Sequence, residues 1–151
     1  MSFFLRWALA LRDNIFKVFA KTNFVYKLKT QYDVFGKTMN IAPFPFQITN
    51  WEEIEVTEHS GETGKAYWKT QFFGEEGNKI RVRLVEYSAN YLADHWCEKG
   101  HILFCLEGEL ESRLKDGRTF TLTSGMSYQV GDNSEPHQSF SLNGAKLLIV
   151  D

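Results

Sequence analysis

The sequence predicts an all-β domain, a sandwich or closed barrel, over residues 39–151. Short runs rich in β-branched and aromatic residues recur from Met39 onward, and glycines or Asx turns separate them at regular intervals. A content of 43% hydrophobic and 15% aromatic residues in a chain of 151 is ample for one core. These observations exclude wholesale disorder and place the chain among single-domain β proteins.

The first segment, residues 1–38, is of a different kind. It carries seven Lys or Arg against Asp13 and Asp33, a net +5, whereas the remainder holds ten basic and seventeen acidic residues, a net −7. Phe3, Phe4, Trp7, Leu9, Leu11, Ile15, Val18 and Phe19 recur at helical spacing with basic residues between them, which predicts an amphipathic helix. Three readings of it stay open: a membrane-surface or targeting segment, a helix packed on the domain, or a stretch upstream of a true start at Met39.

The expected strands follow at 54–57, 66–73, 80–87, 91–96, 102–113, 118–122, 126–130, 137–141 and 146–150. Lys115-Asp116-Gly117-Arg118 signals a tight primed hairpin turn, because Asp-Gly supplies the positive φ that such a turn requires. Within 101–106 both strand faces are apolar: His101, Leu103 and Cys105 share one, and Ile102, Phe104 and Leu106 the other. If the first face lines a barrel, the second must be covered by another sheet or another subunit, so a homodimer is expected.

Net charge of −2 with a pI of about 6.1 leaves no basic field for nucleic acid. No apolar stretch reaches the roughly 18 residues that span a bilayer, so no membrane partner is expected. Cys97 and Cys105 lie outside any disulfide framework and read as reduced thiols of a cytoplasmic protein. Neither a nucleophile-elbow serine motif nor a phosphate-binding loop is present.

Chemistry concentrates in one stretch. His95, Cys97 and His101 fall within seven residues, and His137 answers them at the start of a later run. If 91–96 is a strand that continues to Cys97, His95 and Cys97 point to one face. Imidazole and thiolate suit zinc, iron, copper or nickel and do not suit magnesium or calcium. The four residues therefore form a coherent ligand set for one divalent transition metal. Each also has an ordinary structural reading: a hydrogen-bonded histidine at a strand end, or a small buried cysteine. His59, in the polar 58–62 run, reads as surface.

Arg81 and Arg83 alternate with Val82 and Leu84 and so share a face. Either Arg83 reaches into the barrel to pair with an acidic small molecule, or the pair decorates a solvated sheet. Tyr67, Trp68, Tyr87, Tyr91 and Tyr128 are candidates to line a pocket or to fill a core; with Arg83, Tyr87 and Tyr128 are the substrate-binding candidates.

His95-x-Cys97-x3-His101-x6-Gly108 resembles the first motif of the cupins, G-x5-H-x-H-x3,4-E-x6-G, in spacing from its first histidine to its last glycine. Cys97 stands for its second histidine and His101 for its glutamate. The run from Gly125 through Gly131 to Glu135-Pro136-His137 resembles the second motif, G-x5-P-x-G-x2-H-x3-N, one residue longer and without the final Asn. Asp94-His95-Trp96-Cys97 looks like the signature of the DHCW-motif cupin-fold proteins, and the resemblance covers residues 39–151.

The resemblance implies a double-stranded β-helix, a small jelly-roll barrel, with a metal held inside it by His95, Cys97, His101 and His137. It implies no single reaction, since one fold hosts many. Two functions are expected from it. One is a small-molecule enzyme of oxygenase or isomerase type; the other is a non-catalytic binding or sensing module with a structural metal or none.

Overall fold

The computed structural model describes residues 41–151, so the expected helix of residues 1–38 lies outside the described residues. Nine strands follow in chain order: β1 (Val56–Ser60), β2 (Lys65–Phe73), β3 (Ile80–Tyr87), β4 (Tyr91–Leu92), β5 (His101–Leu114), β6 (Thr119–Thr123), β7 (Ser127–Val130), β8 (His137–Ser141) and β9 (Ala145–Val150). Every pairing between them is antiparallel.

β5 organises the fold because it belongs to two ladders. Its first half pairs with β7 and β9, and β9 continues the sheet to β3, β2 and β1. Its second half pairs with β6 and β8, and β8 carries β4. The changeover falls where the β9 register slips between Cys105 and Glu107 and where Gly108 takes φ +77°. A Cβ at Gly108 would stand 2.3 Å from the Gly144 carbonyl oxygen, so glycine is required by both conformation and space.

Alternation sorts the side chains. His101, Leu103 and Cys105 of β5, Arg83, Val85 and Tyr87 of β3, and Leu147 and Ile149 of β9 all point inward and are buried. Leu110 and Leu122 close the core beyond the bend, and Trp68 and Tyr128 pack against its edge. Fully burying one such leucine contributes roughly 1.5–3 kcal/mol, which fixes the register and hence what faces the interior.

Several expectations shift. β1 is displaced to Val56–Ser60, so His59, exposed as expected, sits on a strand with its ring tilted 33° against Trp68 at 4.0 Å between ring centres. The strand expected over 91–96 stops at Leu92, because beyond it only one bond from Ala93 to Ser139 and one isolated bridge between Cys97 and His137 reach β8, and no continuous ladder forms. The hairpin after β5 is not primed. Asp116 has no positive φ, Gly117 alone takes φ +94°, and the Asp116 carboxylate accepts from the Arg118 amide. The outer face of β5 is open: Ile102, Phe104 and Leu106 are 46%, 38% and 39% exposed. Among the described residues no helix is long and apolar enough to cross a membrane.

Candidate metal centre

Cys97 is placed by two backbone hydrogen bonds rather than by a strand. Its amide donates to the His137 carbonyl at 2.7 Å, and the His137 amide donates back at 3.0 Å, which is one closed rung of an antiparallel ladder. Side chains of such a rung lie on the same side. His101 opens β5 on the inward parity of Leu103 and Cys105, and its approach is pinned below: the Gly100 amide donates to Asp132 Oδ1 at 2.7 Å, and Lys99 pairs with the same carboxylate at 2.9 Å.

The result is a convergence of three ligand-capable atoms. One atom each of Cys97, His101 and His137 lie within 4.8 Å of one another, and His101 Nε2 and His137 Nε2 are 3.2 Å apart. A tetrahedral ion with metal–nitrogen bonds near 2.05 Å holds two nitrogens about 3.3 Å apart, so the imidazoles are already at ligand spacing. Both histidines are buried and Cys97 is half-buried. His137 Nδ1–H donates to the Glu135 carbonyl at 2.9 Å, which leaves Nε2 as the lone-pair nitrogen aimed at the site. The Tyr128 hydroxyl lies 2.8 Å from His101 Nε2.

Electrostatics favour the thiolate. The His101 imidazole first and the His137 imidazole second, against the thiol's own burial, bring Cys97 down to about 5. Burial depresses His137, yet the facing sulfur and the Glu135 carbonyl leave it above its ordinary value. Burial pushes the phenols of Tyr87, Tyr91 and Tyr128 up, so all three remain protonated donors near neutral pH.

Of the four ligands expected from the sequence, the structure brings together three. His95 does not join them: its Nδ1 is held 2.6 Å from Asp94 Oδ1, and the pair is 67% and 61% exposed. His95 and Cys97 do border one space, but β4 ends five residues before Cys97 and His95 is not part of the cluster. His95 instead stands at the mouth of a cavity of about 70 Å³ whose walls include Trp68, Arg83, Tyr87, Tyr128 and the three converging residues.

Arg83, Tyr87 and Tyr128, the substrate-binding candidates, all face this interior. Arg83 is buried and Arg81, on the same strand face, is partly exposed; what meets both is Asp151. Arg81 grips its carboxylate through Nε and Nη2 at 2.7 Å each, and Arg83 adds Nη2 at 2.8 Å. Burial raises Asp151, but the hydrogen bonds of Arg81 and the charges of both arginines hold it below its ordinary value. Asp151 escaped the sequence reading, although it continues the inward parity of Ala145, Leu147 and Ile149 and so could have been found by alternation. Cys105 is buried beneath Gly108 and does not pair with Cys97.

No protein-family profile matches the chain, and no curated protein does. Solved structures do. Ectoine synthase from P. lautus is 20% identical with a TM-score of 0.56, over 70% of this chain and 76% of that one. An RmlC-like cupin from Shewanella frigidimarina is 18% identical with a TM-score of 0.57, over 70% and 89%. Fe(II)-HppE, crystallised with an alternative substrate, is 17% identical with a TM-score of 0.58, over 70% of this chain and 60% of that one. At these identities the likeness speaks for architecture alone. The nine-stranded curled sheet is therefore a cupin fold, built around a buried Cys/His/His cluster.

Proposed function

We propose that the protein is a metal-binding cupin of the DHCW-motif kind, in which Cys97, His101 and His137 hold one divalent transition metal, zinc, iron, copper or nickel. The observation that carries the reading is the 3.2 Å separation of the two Nε2 atoms beside the Cys97 sulfur. Three protein ligands would leave such an ion a further coordination position, as in catalytic sites. Bound there, an ion of this class supplies Lewis acidity or redox capacity to a small organic molecule in the cavity.

The chain's own residues would then work around the bound molecule as a small-molecule enzyme of oxygenase or isomerase type. Tyr128 donates from one wall, Arg83 from another, and His95, its tautomer set by Asp94, presents Nε2 at the mouth as a proton carrier. A second reading, a binding or sensing module, is favoured by one observation: among the described residues no carboxylate lines the cavity to serve as a general base. Replacing His95 by Ala separates the two, since turnover collapses in an enzyme while ligand binding persists in a sensor. For the metal, elemental analysis of protein purified without added metal is expected to give close to one equivalent per chain. Less than about a tenth, with no uptake on reconstitution, contradicts the tight binding expected of N/S sites.

Two further parts of the proposal concern setting. A site that depends on a free thiolate suits the reducing cytoplasm. The outer strip formed by Val82, Val150 and Ile102 beside Leu84, Leu148 and Phe104 runs across three strands and supports a homodimer through that face.

A further inference from the structure

We propose that the cavity beside Cys97, His101 and His137 receives a small carboxylate, with the Arg83 guanidinium and the Trp68 indole N–H as its donors. The inference deepens the metal-site reading by naming the class of molecule that site serves, and its evidence is separate. Among the described residues, three buried side-chain atoms lack a hydrogen-bond partner: Trp68 Nε1, Arg83 Nε and His101 Nδ1. All three belong to residues lining this one cavity. A buried orphan costs roughly 1–3 kcal/mol, and folded proteins keep few. Orphans gathered around a single space indicate a missing partner rather than scattered imperfection.

What is missing is an acceptor. Arg83 Nε and Trp68 Nε1 can only donate, and they are neighbours, because the guanidinium carbon lies 4.6 Å from the centre of the Trp68 ring. Arg83 is 7% exposed, and Asp151 engages only its Nη2. The two positive charges of Arg81 and Arg83 are met by the Asp151 carboxylate and the Cys97 thiolate, so the unfilled donor edge of Arg83, and not a surplus of charge, selects the ligand. An anion with coplanar oxygens suits a partly free guanidinium edge better than a neutral ligand does. The space of about 70 Å³ holds roughly five water-sized positions, which limits the ligand to a few carbons beyond its carboxylate.

Calorimetric titration of the full-length protein with acetate and lactate, each compared with acetamide and with inorganic phosphate, tests the inference. It is run on protein as purified and after chelator treatment. The expected result is saturable 1:1 binding of a carboxylate at least about tenfold tighter than acetamide, weakened several-fold in Trp68→Phe and more in Arg83→Gln. Trp68→Phe keeps a six-membered ring beside the guanidinium and removes the donor with the pyrrole half of the indole, so it tests that donor even if Arg83→Gln fails to fold. Absence of saturable carboxylate binding, equal binding of acetamide, tighter binding of phosphate, or an unchanged affinity in Trp68→Phe overturns it. Arg83-dependent carboxylate binding in a protein that takes up no metal upholds this inference while the metal reading falls; a full metal complement without carboxylate binding does the reverse.

Discussion

His137 and His95 stand on opposite sides of the same question. His137 has its Nδ1 proton committed to the Glu135 carbonyl and its Nε2 turned to Cys97 and His101, whereas His95 is tied to Asp94 at the surface. His137→Ala is therefore expected to lower metal affinity by at least about a hundredfold, as loss of one of three ligands should, while His95→Ala leaves the bound equivalents unchanged. Competition with a chelator of known affinity measures both. The Asp151 carboxylate, 1% exposed between two arginines, makes a separate prediction. Asp151→Asn leaves Arg83 buried without its anion and is expected to destabilise the fold by about 2–4 kcal/mol in urea, discounted for the partial exposure of Arg81. Because the folded carboxyl lies below its unfolded value of about 3.9, its contribution is complete above that pH and is lost as pH falls through the folded value. The acid limb of a stability-versus-pH curve should accordingly shrink in Asp151→Asn.

At the scale of elements, β5 carries most of the account, and its bend rests on Gly108. Gly108→Ala combines a positive φ with a Cβ placed 2.3 Å from the Gly144 carbonyl oxygen, neither of which a side-chain rotation relieves. A loss of about 2–4 kcal/mol is expected by chemical denaturation, with displacement of the β8 ladder that holds His137. Long alternating runs were legible in the sequence, and Ile80–Tyr87 and His137–Ser141 match the expected bounds because apolar periodicity and turn residues agree there. His101 and His137 were legible from motif spacing. His95 shares a cavity wall with Cys97, as the parity of the run implies, but its tie to Asp94 outside the cluster is a side-chain contact that spacing does not reveal. The pair Arg81 and Arg83 was legible as a shared face, but which face needed Asp151, a residue distant in sequence.

For the whole molecule, the same curled sheet that gathers the cluster inside leaves an apolar strip outside. Phe104, on its β5 side and paired to Leu148, is 38% exposed and lies on the face opposite the core. Phe104→Glu is expected to shift the protein from dimer to monomer in light scattering while metal content and the thermal midpoint of the monomer stay near those of the wild type; a wild type that is monomeric at high micromolar concentration refutes the dimer. The cavity, the arginine pair and the cluster all lie on the inner face, so assembly through the outer strip leaves the site open.

If Cys97, His101 and His137 hold one metal ion, X-ray absorption at the edge of the metal found in the purified protein will show one sulfur at about 2.3 Å and two imidazole nitrogens at about 2.0–2.1 Å, the sulfur disappearing in Cys97→Ser. A shell without sulfur, or one unaltered by that substitution, contradicts it.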